Sequence, residues 1–155
     1  MTEDAPTPTW DDAHAAALAG PWRLLGPPPE CTILVATPAP LALSTLARSL
    51  RRGRLRVRSR PGRVEARSWW TPGVVVVAFL AGTADGISSP VFEVAVEAEG
   101  PGWVRLRARM RTGDKIAFRT TVPAALNRAL TTLRARGIRA EITPWEDRHA
   151  RSRTS

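Results

Sequence analysis

Apolar and polar residues alternate with period two through most of the middle of this chain, the side-chain periodicity of a strand. The alternation predicts strands over 54–60, 63–70, 91–99 and 103–111, and a last one over 138–142, where Ile138, Ala140 and Ile142 repeat. Thr32 to Ala36 and Lys115 to Thr120 read as further strands. Val74 to Leu80, apolar throughout, reads as a strand covered on both sides. Helical spacing replaces the alternation twice. Leu43, Leu46, Ala47 and Leu50 form one helical stripe, with Thr37 as N-cap and Gly53 as the stop. A second helix over 121–136 buries Val122, Ala125, Leu126, Ala129, Leu130 and Leu133, and stops at Gly137.

Turn residues join the strands in pairs. Pro61-Gly62 predicts a hairpin with Arg60 opposite Arg63, Arg58 opposite Glu65, Arg56 opposite Arg67 and Arg54 opposite Trp69. A three-residue turn, Gly100-Pro101-Gly102, predicts a second hairpin. It sets Glu99 opposite Trp103, Glu97 opposite Arg105, Ala95 opposite Arg107 and Glu93 opposite Arg109. Both registers send Leu55, Val57, Val64, Ala66, Phe92, Val94, Val96, Leu106 and Met110 to one face and every arginine to the other. A slip of one residue would bury the charges, so the register is strongly specified.

These elements describe an α+β domain: a mainly antiparallel sheet of about six to eight strands with two amphipathic helices packed on one face. Residues 1–30 read as an acidic arm with a short helix from Trp10 to Ala19 and a stiff Pro27-Pro28-Pro29 link. Residues 31–145 read as the single domain and 146–155 as a disordered tail. Two strand–helix–strand stretches, starting at Thr32 and Lys115, align at an offset of 83 with one gap near the glycine. Ile33 then falls on Ile116, Thr37 on Thr120, Leu43 on Leu126 and Leu50 on Leu133. Either a duplicated unit or two independent amphipathic helices with the same capping residues would align this way. The order of elements also resembles a helix-grip arrangement, from which the short last helix departs, and such a likeness implies no function.

Composition adds a charge asymmetry. The 155 residues suit one domain with a real core. Residues 1–30 hold five acids and one base, Arg23, whereas residues 31–143 hold 18 arginines and Lys115 against seven acids, a net of +12. The cationic character belongs to the folded body, where it would attract polyanions or acidic proteins. Arginine outnumbers lysine 22 to 1 and tyrosine is absent, which reads as the codon bias of a GC-rich bacterial genome. The number of arginines alone is therefore a poor argument for bidentate recognition. A single cysteine, Cys31, excludes an intrachain disulfide or thiolate metal cage and reads as a small buried hydrophobe. The acidic N-terminus is unlike a signal peptide, and the longest apolar run, Val74 to Gly82, is too short to span a bilayer. These features predict a cytoplasmic protein with no membrane partner.

Candidate chemistry is sparse. His14 and His149 have no partner at a useful spacing, Ser88 and Ser89 lack a nucleophile-elbow context, and the glycines form no phosphate-binding loop. The sequence thus predicts no catalytic residue, metal site or cofactor, and it does not reveal an activity. Its one functional pointer is the arginine face, where ten arginines meet four acids, Glu65, Glu93, Glu97 and Glu99. Arg58–Glu65, Arg105–Glu97 and Arg109–Glu93 read as cross-strand ion pairs. Arg54, Arg56, Arg67, Arg107 and Arg111, with Trp69 and Trp103, read as the part left unneutralised. Such a face is a solvated surface, or a nucleic-acid surface with bases stacked on tryptophan, or a docking face for an acidic protein or a second copy of the chain. The nearly uncharged segment 69–92 supports a separate reading, the apolar pocket of a small-molecule carrier or enzyme. An exposed sheet also suits a structural, oligomerising subunit.

Overall fold

The period-two segments pair into one antiparallel sheet. The computed structural model describes residues 29–68, 91–112, 121–143 and 145–147. In chain order the elements are β1 (Pro29–Val35), α1 (Ala39–Arg52), β2 (Arg56–Arg60), β3 (Arg63–Arg67), β4 (Val91–Gly100), β5 (Trp103–Thr112), α2 (Thr121–Ala135), β6 (Ala140–Ile142) and β7 (Glu146–Asp147). The strand order is β2-β3-β4-β5-β1-β6, with β7 beside β1. The class is α+β, as the pattern predicts. The expected strands over 74–80 and 115–120, the arm helix and most of the tail lie outside the described residues. β1 takes in Pro29 and Glu30, which pair with Asp147 and Glu146. β1 thus begins before residue 31 and its partner β7 lies beyond residue 145, because ladder hydrogen bonds, not composition, decide where a strand ends.

One hydrophobic cluster holds these elements together. From the helices it takes Ala39, Ala42, Leu43, Leu46, Ala47 and Leu50 of α1 and Val122, Ala125, Leu126, Ala129, Leu130 and Leu133 of α2. From the sheet it takes alternate residues, among them Ile33, Val64, Phe92, Val94, Leu106 and Met110, and Cys31 joins it. All nine apolar residues that the registers send to one face belong to the cluster or pack against it. Trp145 is an addition that no periodicity announces; it is buried with its ring 6.4 Å from that of Phe92. The helices meet through Ser49, whose hydroxyl donates to the Ala125 carbonyl at 2.7 Å.

The helix ends repeat. α1 is capped by Pro38 rather than Thr37, which is buried, and no side chain caps it. Pro40 has no N–H to satisfy, and the Pro38 carbonyl accepts from Leu41 and Ala42 at 3.2 and 3.3 Å, so a capping hydroxyl is dispensable. At the C-terminus Leu55 N–H donates to the Leu50 carbonyl and Arg54 N–H to that of Arg51, the Schellman pattern. In α2, Ile138 donates to Leu133 and Gly137 to Arg134 in the same way. The six cluster residues of α1 and the six of α2 coincide at the offset of 83, and so do Arg54 and Gly137. No gap is needed: the residue that corresponds to Gly137 is Arg54, not Gly53.

The first hairpin has the expected register, Arg56↔Arg67, Arg58↔Glu65 and Arg60↔Arg63. The second does not near its turn. Its loop has two residues, Pro101 and Gly102, so Gly100 pairs with Trp103 and Ala98 with Arg105. A β-bulge between Val96 and Ala98 then absorbs one residue, and from Val96↔Leu106 onward the pairing is the predicted one, including Ala95↔Arg107 and Glu93↔Arg109. The bulge is anchored from outside the hairpin by the Val96 N–H, which donates to the Gly62 carbonyl at 2.8 Å.

Candidate anionic-partner interface

Across the sheet, the face opposite the cluster is ordered in rows. One row runs Arg58, Glu65, Glu93, Arg109, Glu30 through β2, β3, β4, β5 and β1. Its centre is buried: Glu93 is 2 % exposed and Glu65 6 %. Two carboxylates directly opposite one another repel, and here guanidinium groups compensate them. Arg109 reaches Glu93 Oε1 from Nη2 at 3.0 Å and from Nε at 3.2 Å. Arg63 lies 3.6 Å from Glu93 Oε2 and 3.9 Å from Glu65 Oε1. The expected Arg109–Glu93 pair is present, and the face's centre is an ion-paired network.

Two arginines of β5 have partners other than the expected ones. Arg107, read as unneutralised, donates from Nη2 to Glu97 Oε1 at 2.7 Å. Arg105, read as the partner of Glu97, lies instead over the Trp103 ring, 5.9 Å from its centroid. The bulge is the cause, since it moves Glu97 off the position opposite Arg105. Trp103 is 7 % exposed, and a Cβ at Gly100 would come within 2.7 Å of its Cε2. The indole lies against the Gly100 backbone, so it is packing across the hairpin and offers little surface for a base. Arg111 falls at a second irregularity, between Phe92↔Met110 and Val91↔Thr112, and Trp69 lies outside the described residues.

The exposed arginines gather elsewhere, along the sheet edge. Arg56, Arg58 and Arg60 of β2 and Arg67 of β3 are exposed. Arg54 is exposed too, but it belongs to the α1 terminus, with φ +62°, and not to the strand. Arg48, Arg51 and Arg52, near the end of α1, are also exposed and went unremarked in the reading of the face. A signal for them exists in the sequence: no acid occurs between Cys31 and Val64, a stretch with eight arginines. Among the described residues β3 is the one neighbour of β2.

The cavities bordered by described residues are open to solvent. One of 170 Å³ lies on the charged face between Glu93, Glu97, Arg107 and Arg109. One of 270 Å³ lies between the start of α1 and the β2–β3 turn, lined by Pro40, Leu43, Ser59, Pro61 and Val64 among others. A third, of 350 Å³, borders Gly137 to Glu141. The apolar pocket expected near 69–92 falls mostly outside the described residues, though Val91 and Phe92 are buried in β4. Among the described residues no group of three His, Cys, Asp or Glu could hold a metal ion, and no helix is long and apolar enough to cross a membrane. Comparison of the chain with protein-family models, with curated proteins and with solved structures finds no match in any of the three.

Proposed function

We propose that the protein is a non-enzymatic binding module that holds an anionic partner, nucleic acid or acidic protein, on the arginines of the β2 edge and the adjoining end of α1. The observation that carries this reading is the division of the charged face. Its centre neutralises itself through Glu65, Glu93, Arg63 and Arg109, while Arg51, Arg52, Arg54, Arg58 and Arg60 stand exposed in an acid-free stretch. Clustered, solvent-facing guanidinium groups raise the local concentration of polyanions and contact phosphate or carboxylate directly. Of the residues first singled out, Arg54, Arg56 and Arg67 stay in the proposed site, and Arg107 and Trp103 leave it for structural roles.

The test is binding of a labelled oligothymidylate at rising salt. Each phosphate contact on a single strand contributes about 0.7 to the log–log salt slope, so replacing Arg54, Arg58 and Arg60 by alanine should flatten it by about 2. Arg107→Ala should leave it unchanged. A triple variant that binds with the parent's affinity and slope would refute the edge as the site.

A further inference from the structure

From the chemistry of the edge we infer that its partner is an extended acidic segment of protein, with acids and apolar residues in alternation, added to β2 as a further antiparallel strand. This inference rests on the anionic-partner reading and names the partner's class.

The sheet itself shows what an arginine-alternating strand takes as its neighbours. β5 carries Arg105, Arg107 and Arg109, and acids flank it from both sides: Glu93 of β4 and Glu30 of β1 stand opposite Arg109, and Glu97 of β4 bonds Arg107. β2 has the same alternation. Its one described neighbour, β3, sets a carboxylate opposite Arg58 but arginines opposite Arg56 and Arg60. Among the described residues no strand lies on the outer side of β2 to supply acids like those that flank β5.

Main-chain chemistry selects among anions. An edge strand presents both N–H and C=O groups, and a peptide strand answers both, whereas a phosphate backbone offers acceptors only. A second copy of β2 is disfavoured, since antiparallel pairing about Arg58 would set Arg56 against Arg60 and Arg58 against itself. The opposite face adds an independent requirement. Val57 is half-buried there, and the 270 Å³ cavity beside Leu43, Pro40 and Val64 opens next to Ser59. In an added strand, alternate residues would face the arginines and the intervening ones would cover Val57 and this groove. That is the pattern of β4, whose VFEVAVE places Glu93 and Glu97 between apolar residues.

The experiment measures anisotropy of a labelled nine-residue peptide of alternating glutamate and valine against the full chain. Two further peptides carry N-methyl groups at either the odd or the even positions. Strand addition uses every second N–H, so one methylated peptide should lose at least tenfold in affinity and the other should keep it. Replacing Arg58 and Arg60 by glutamate should abolish binding and create affinity for a lysine–valine peptide. Equal binding of all three glutamate peptides overturns strand addition and leaves charge-driven binding in place. Binding of oligothymidylate without binding of the peptides does the same. If neither probe binds at low salt, this inference and the anionic-partner reading both fall.

Discussion

Arg54 and Gly137 hold the same place in two helix ends, and only one of them suits it. Both have positive φ, +62° and +75°, where a side chain costs an L-residue about 1–2 kcal/mol and glycine nothing. Arg54→Gly should therefore raise stability by about 1 kcal/mol in urea unfolding, and Gly137→Ala should lower it by a similar amount. If Arg54 binds as proposed, its charge is kept there at the expense of its conformation. If Arg54→Gly also weakens oligothymidylate binding, stability and affinity are being traded at one position. Glu93 illustrates the opposite economy: a charge at 2 % exposure persists because Arg63 and Arg109 converge on it.

At the scale of elements, the β4–β5 hairpin shows how a single bulge redistributes chemistry. A two-residue turn would by itself invert the faces of the two strands relative to the expected register; the extra residue between Val96 and Ala98 restores them, so that Glu93 still meets Arg109. Its by-product is the exchange of Glu97 from Arg105 to Arg107. Double-mutant cycles should resolve this directly. Arg107 with Glu97 should show a coupling of about 0.2–1 kcal/mol, held down by exposures of 38 % and 30 %, and Arg105 with Glu97 none. Coupling in the second pair alone would mean that the bulge is absent in solution.

For the whole molecule, the charged face has two parts with opposite responses to salt. The central carboxylates, Glu65 and Glu93, are buried, whereas the edge arginines repel one another in water. Screening should act mainly on the edge, so raising sodium chloride from 20 to 300 mM, which shortens the Debye length from ~22 to ~6 Å, should raise the thermal midpoint. A falling midpoint would show that the network around Glu93 dominates the electrostatics of folding.

Periodicity alone was enough for the α+β class, both helices, the apolar set from Leu55 to Met110 and the register of the first hairpin. Each is a local property: which face of a strand or helix is apolar, and which turn joins two neighbours. The acid-free stretch around β2 was equally legible. Only the folded chain shows that β3 lies beside β4 and so brings Glu65 against Glu93, that Trp145 packs near Phe92, and that β2 has β3 as its one neighbour among the described residues. These are pairings between segments far apart in sequence, whose partners are chosen by packing and ladder hydrogen bonds rather than by local pattern. The division of one arginine-rich face into a neutral centre and a cationic rim follows from that choice.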